Sequence, residues 1–328
     1  MRLSTYTQAQ SALGGDIALN IVTDMPKLEM DNLFINLWKY VFIFERRFSR
    51  FLPSSELTLF NRSAGIKTKI SSEFRDLLIS AQKLGQETGG LYNPFITPAL
   101  QRAGYVKSAL SGYENDKQID YTNRKMAEVS RLIIGDNWAL IPYGTAIDLG
   151  GCGKGYLGDQ LGDILKNYDI AGYWISLGGD VVTMGHDENG NELSLSIQNA
   201  NNLSKITDWA VDCPTEHFAI ATSGTFQRKG QNIPKNWHHI IDPETEQPAV
   251  TDIRLATVCA DTALNADVLA SCAIILGSEK APAYLQKHGV KSALLQCIDN
   301  EGVVFEKEFG PFISKSHIGN AEEVLTNA

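Results

Sequence analysis

The spacing of apolar positions separates strands from helices along much of the chain. Over residues 16–23 (DIALNIVT) apolar and polar residues partly alternate, the pattern of a half-buried strand. From residue 27 to about residue 48 the period lengthens. Met30, Leu33, Phe34, Leu37, Trp38, Val41 and Phe44 recur at helical spacing, which predicts one long amphipathic helix. Pro53, Ser54 and Ser55 mark a loop, and Glu56 opens a short helix. Ser71 or Ser72 caps another helix running to about Glu87, closed by Gly89 and Gly90. The two prolines of LYNPFITPAL, residues 91–100, predict an ordered loop.

Residues 108–125 are polar and weakly patterned, as in a surface excursion or a join between two lobes. A strand, a glycine loop and a helix are then expected in order over 146–165. Strands follow at 173–177, 193–197, 217–221 and 256–260, with a helix over 262–276. Residues 290–297 and 303–307 read as a hairpin around Asp299-Asn300-Glu301-Gly302. The last fifteen or so residues show little periodicity, so 310–328 is expected to be a tail. Strands and helices do not alternate regularly. The pattern predicts an α+β fold with mixed or antiparallel sheets flanked by helices, not a doubly wound sheet.

Composition narrows the function classes. The formal charge is −9, from 38 acidic and 29 basic residues, with no basic stripe of the kind a nucleic-acid binder carries. An acidic protein that handles a polyanion needs a metal ion or backbone N–H groups at its site. The five cysteines are scattered and never spaced as C-x-x-C, so neither a disulfide framework nor a zinc knuckle is expected. No apolar run approaches the ~20 residues of a membrane span. The start, MRLSTYTQAQSALGG, lacks a signal-peptide core and a lipid-attachment cysteine. The expected compartment is the cytoplasm.

Four constellations could carry chemistry. Asp148-Leu149-Gly150-Gly151-Cys152-Gly153-Lys154-Gly155 lies before a helix; it could seat a phosphate against free N–H groups and Lys154, or be a tight turn. Ser176-Leu177-Gly178-Gly179-Asp180 ends a strand and is a second glycine turn. Ala221-Thr222-Ser223-Gly224-Thr225, followed by His238-His239-Ile240-Ile241-Asp242-Pro243, offers hydroxyls and a proton acceptor, or a plain strand end. In Asn265-Ala266-Asp267-Val268-Leu269-Ala270-Ser271, Asp267 and Ser271 share one helix face. Two hard oxygen donors suit Mg²⁺ rather than zinc, although Asp267 could instead cap a helix.

Taken together and in this order, the blocks resemble the FAD:protein FMN transferase family, also called the ApbE family. They are SRFLPSSELTLFN, GGLYNPFITPAL, AIDLGGCGKGYLGDQL, ISLGGDV, AIATSG, HHIIDPETEQPA and ALNADVLASCAIILG. The resemblance spans nearly the whole chain and implies one flavin-transferase domain over 1–328. It implies that Asp148 and Lys154 contact FAD, that the Gly151 carbonyl, Asp267 and Ser271 bind Mg²⁺, and that Asp267 takes part in catalysis. His239 and Ile240 fall in a segment lining the flavin site. Leu91, Tyr92 and Asn93 match one touching the flavin or adenine end. Leu13 stands where many members have Met, and Ser271 where they have Thr.

The activity so implied is Mg²⁺-dependent transfer of FMN from FAD to a Thr or Ser hydroxyl of an acceptor flavoprotein, in a segment like Asp-Gly-Ala-Thr, with release of AMP. Asp267 or His239 would be the base. Two alternatives share the site: a hydrolase that splits FAD to FMN and AMP, and a non-catalytic FAD-binding protein.

Overall fold

The strand read over 16–23 belongs to an eight-stranded sheet. The computed structural model describes residues 2–105, 120–225 and 238–315. The sheet contains β1 (Ser4–Ala12), β2 (Gly15–Thr23), β3 (Gly172–Leu177), β4 (Asp180–Gly185), β5 (Phe218–Gly224), β6 (Ile253–Ala260), β7 (Ser292–Ile298) and β8 (Val304–Phe309). Spatial order follows chain order, and every neighbouring pair is antiparallel. The helices are α1 (Lys27–Phe48), α2 (Glu56–Arg62), α3 (Ser72–Glu87), α4 (Thr97–Arg102), α5 (Gly153–Leu165) and α6 (Ala263–Lys287). The fold class is α+β, as the irregular order of elements predicts.

The chain forms two compact units. The first comprises Met1–Phe42, Lys154–Gly224 and Thr251–Ala328; the second comprises Ile43–Gly153 and Thr225–Val250. In the first, both faces of the sheet are covered. Trp174, Val181, Ile220 and Leu294 pack with Leu195, Ile197, Val211 and Ile313 of a three-stranded sheet (Ser194–Asn199, Asn202–Asp212, Ile313–Lys315). On the other face α6 lies on β5 and β6. A Cβ on Gly158 of α5 would come within 2.8 Å of Val182 and 3.0 Å of Leu177, so α5 also rides directly on the sheet. Burial on both faces explains why β3 is buried at all its positions and reads as an apolar run.

Two stretches of this unit depart from expectation. Ser4–Ala12 is a strand that periodicity did not reveal, because it is an edge strand with mostly wetted side chains. Ile313–Lys315, within the expected tail, pairs with Asn202–Asp212. Helix α6 is longer than predicted but is interrupted at Gly277 (φ 74°, ψ 169°), next to the predicted end. There Asp252 accepts the Ser278 N–H at 2.9 Å and starts the helix again. Among the described residues α6 is the helix long and apolar enough to suit a membrane, with mean hydropathy 1.2, but half of that window is buried within the protein.

The second unit is built on aromatic packing. Phe48 contacts Phe44 and Phe74, and Phe74 contacts Phe60, with ring centroids 4.8, 5.5 and 5.4 Å apart. Ser55 and Ser71 cap α2 and α3 through Thr58 and Phe74 N–H groups. The expected loop over 91–100 is instead a 3₁₀ turn (Pro94–Ile96) followed by α4. Each proline sits in a first turn, where its missing N–H costs nothing. The strand expected at the start of the stretch 146–165 does not form. Asn61 replaces a strand partner: its side chain donates to the Ile147 carbonyl at 2.8 Å and accepts the Ile147 N–H at 2.9 Å. Of the segment 108–125, residues 108–119 lie outside the described residues.

Candidate active site

Within the first unit the site grows from the meeting of α5 and α6. Gly155 lies in the first turn of α5, where backbone N–H groups lack helical partners. Its N–H points at Asp267 of α6, whose Oδ2 accepts it at 3.3 Å. Asp267 is 5% exposed. A Cβ on Gly155 would strike the Ala263 carbonyl and lie 2.7 Å from Leu264 Cα, so only glycine permits this approach. Asp267 thus does act as a helix-start acceptor, but for the neighbouring helix. One turn on, the Ser271 hydroxyl lies 2.9 Å from that of Ser223, at the end of β5. Thr222 pairs with Thr257 at 3.0 Å.

The second glycine turn stands beside Lys154 of α5. Gly178 and Gly179 (φ 62° and 103°) form the two-residue connection between β3 and β4, a geometry that demands φ > 0 at both positions. Asp180 follows immediately, and its carboxylate is paired with the Lys154 ammonium. The Asp180 side chain is only 2% exposed, whereas Lys154 is 19% exposed. An ammonium has three donors, so Lys154 can bind Asp180 and still serve an anion.

The donors on α6 are a carboxylate and a hydroxyl. Among the described residues no three His, Cys, Asp or Glu side chains gather as a metal cluster. This set fits a hard cation that takes its remaining ligands from water, backbone and phosphate, as Mg²⁺ does. It does not fit zinc.

Within the second unit, Asp148 accepts the Gly150 N–H at 2.8 Å and pairs with Arg50 at 2.6 Å. Arg50 also donates to the Tyr105 carbonyl at 2.9 Å and stacks between Phe51 and Tyr105, 4.2 and 4.7 Å from their ring centres. Tyr105 in turn faces the His239 ring, centroids 6.1 Å apart. Tyr92 is buried with its hydroxyl on Cys152 Sγ at 3.0 Å, and a Cβ on Gly151 would sit 3.5 Å from its ring. Asn93 serves the backbone at both ends, donating to Ala127 and accepting from Phe95. Leu91 is half-buried beside it. The Ile240 carbonyl receives the Ala249 N–H at 2.9 Å. His238, paired with His239 in sequence, is buried and bonded through Nε2 to the Ala249 carbonyl; burial holds its pKa below the usual imidazole range.

Sequence reasoning did not assign Arg50, Asp180 or Asp159 a role at the site, although it offered the Ser223 hydroxyl as a candidate. Arg50 stood only within the block SRFLPSSELTLFN, and Asp180 only as the end of a glycine turn. All five cysteines are buried and none is in a disulfide, and burial raises Cys213, Cys272 and Cys297 to about 12, so these three thiols stay protonated at neutral pH.

Comparison with known proteins adds an independent line. A protein from Klebsiella pneumoniae named FAD:protein FMN transferase is 26% identical over 81% of this chain and 77% of its own length. One of the same name from Escherichia coli K12 is 24% identical over 80% and 75%. The crystal structure of the flavinyl transferase ApbE of Pseudomonas stutzeri superposes with a TM-score of 0.78 at 19% identity, covering 94% of this chain and 95% of that one. The ApbE protein of Thermotoga maritima gives 0.77 at 21% identity, covering 92% and 96%. The ApbE family profile matches residues 18–295, a span holding every site residue described above, and the chain therefore belongs to the ApbE family.

Proposed function

We propose that this protein is a Mg²⁺-dependent FAD:protein FMN transferase. The observation that carries the reading is the pair Asp267 and Ser271, two hard oxygen donors on one face of α6, with Asp267 held against the Gly155 N–H of a glycine-opened helix. The shared name of the relatives, over most of the chain, supports the same activity.

Asp267, Ser271 and the Gly151 carbonyl would hold Mg²⁺, which when bound supplies positive charge to the FAD pyrophosphate and the leaving AMP. Lys154 binds a phosphate oxygen while Asp180 fixes its ammonium. Asp148, Leu91, Tyr92, Asn93, His239 and Ile240 take the flavin and adenine contacts that the family resemblance assigns. The acceptor Thr or Ser oxygen attacks the FMN phosphorus in line. The bond from that phosphorus to the AMP oxygen breaks, AMP departs, and the hydroxyl proton passes to Asp267 or His239. The product is a phosphoester-linked flavin on an acceptor flavoprotein.

The test supplies FAD, Mg²⁺ and an acceptor bearing an Asp-Gly-Ala-Thr segment, and weighs the acceptor by mass spectrometry. The acceptor should gain FMN less one water, with AMP released in equal amount and the reaction abolished by EDTA. Free FMN with unmodified acceptor would reassign the protein as a hydrolase. Full turnover in EDTA would remove the metal from the reading.

A further inference from the structure

Helices α5 and α6 cap each other. Asp267 of α6 receives the Gly155 N–H of α5. Conversely, Asp159 of α5 receives two N–H groups at the start of α6, Ala263 at 2.8 Å on Oδ1 and Leu264 at 3.0 Å on Oδ2. Asp159 is itself held from behind. His217 Nε2 lies 3.4 Å from its Oδ1, and His217 Nδ1 lies 3.2 Å from the hydroxyl of Tyr173, a fully buried residue of β3. Gly162 leaves room for that pair, since a Cβ there would come within 2.8 Å of the Tyr173 hydroxyl and 3.2 Å of the His217 ring. A continuous path therefore runs from the sheet through His217 and Asp159 to the start of α6. One helical turn further it reaches Asp267 and returns to α5 at Gly155.

From this closed path we propose that Asp159 is a positioning residue for the metal-binding face of α6, fixing Asp267 and Ser271 through the helix start without touching either. The inference rests on the reading of those two residues as metal ligands. A plain helix cap would stabilise α6 and do nothing else. Thr262 is such a cap: its hydroxyl accepts the Asn265 N–H at 3.2 Å from within the same chain turn and bridges no second helix. Outer partners of metal ligands, by contrast, set ligand orientation, and their loss typically costs about 10–100-fold in metal affinity.

The experiment compares Asp159→Asn and Asp159→Ser with Thr262→Ala in the full chain. Mg²⁺ affinity is read from the Mg²⁺-dependent rise in melting temperature and from the Mg²⁺ dependence of FAD turnover. Amide hydrogen exchange at Gly155, Ala263 and Leu264 is followed in metal-free protein. Asp159→Asn should weaken Mg²⁺ binding about tenfold or more, with turnover at saturating Mg²⁺ largely kept. It should also speed exchange at Gly155 together with Ala263 and Leu264. Thr262→Ala should lower the melting temperature and leave Mg²⁺ affinity unchanged. Wild-type Mg²⁺ affinity in both Asp159 variants, or faster exchange at Ala263 and Leu264 with Gly155 unmoved, would reduce Asp159 to a cap and overturn the proposal. A wild-type protein that ignores Mg²⁺ would instead sink the reading of the site, and the metal-free exchange would still decide the role of Asp159. Should neither Asp159 variant fold, exchange in the wild type decides: the three amides must open with one common free energy, and separate values refute the coupling.

Discussion

Gly155→Ala probes the close backbone approach of α5 to α6 in the first unit. The new Cβ would lie 2.7 Å from the Ala263 carbonyl carbon and from Leu264 Cα, about 0.7 Å inside ordinary contact at 3.4 Å. Both obstacles are backbone, so no side-chain rotation relieves them. Forcing extra volume into packed structure costs about 1–3 kcal/mol. Replacing glycine by alanine within a helix returns up to about 1 kcal/mol. With two backbone obstacles the upper half of that cost applies, about 2–3 kcal/mol, so the net loss should be about 1–2 kcal/mol, or roughly 2–8 °C at about 2–4 °C per kcal/mol for units of this size. Relief by separating the helices would also stretch the Gly155 N–H bond to Asp267, already 3.3 Å long, beyond hydrogen-bond reach. FAD turnover should then fall more than stability alone explains. Gly153→Ala is the control: its Cβ would meet the Phe44 ring at 3.8 Å, an ordinary contact, and stability should hold. Differential scanning calorimetry and FAD turnover on both variants give the answer. A Gly155→Ala protein that melts and turns over like wild type would refute the argument that glycine is required for this contact.

Three further outcomes are expected. Asp267→Asn should retain the Gly155 contact and melt normally without metal, yet lose turnover by about 100-fold or more, since the amide supplies no charge to Mg²⁺; near wild-type transfer rates would contradict this. Leu13 holds φ 55° in the two-residue turn between β1 and β2, a conformation costing about 1–2 kcal/mol for most residues but little for Asn; Leu13→Asn should therefore raise the melting temperature, and a fall would show that the leucine side chain offsets the strain. His238 has its pKa depressed by burial, so below the unfolded value of about 6.5 the unfolded chain binds a proton that the folded one refuses. Its contribution makes stability fall as pH drops from there through the folded pKa, and His238→Gln should flatten that slope in melting curves between pH 7 and 5; an unchanged slope would assign it to other groups.

What the sequence disclosed depended on whether side chains or backbone geometry fixed each element. The helix from Lys27 to Phe48 was legible because its buried residues, Met30 to Phe44, fall on one face. The caps Ser55 and Ser71 were legible because a hydroxyl before a helix has one main use. The start of 146–165 misled because an extended apolar segment looks alike whether a strand or the Asn61 side chain satisfies it. Residues 91–100 misled because proline breaks helices inside but starts them at the first turn. At the site, Asp267 and Ser271 could be paired from their spacing of four on one helix. Asp159 and Asp180 could not be linked to their partners, because Asp159 reaches Ala263 and Asp180 reaches Lys154 only after the chain has folded back.

The chain-ordered sheet has a consequence for how the polypeptide acquires its shape. Adjacent strands β3 and β4 are joined by two residues and can zip at once. Val22 of β2 must instead find Gly172 of β3 across about 150 residues of intervening chain. That is roughly four doublings beyond a ten-residue loop, about 2.5 kcal/mol of extra closure entropy if the excursion is still random coil. An excursion that has already collapsed around Phe48, Phe60 and Phe74 lowers that barrier. Folding should then be hierarchical, with amides of α3 protected in pulsed hydrogen exchange before those of β2; the opposite order would mean that the long-range strand pair nucleates unaided.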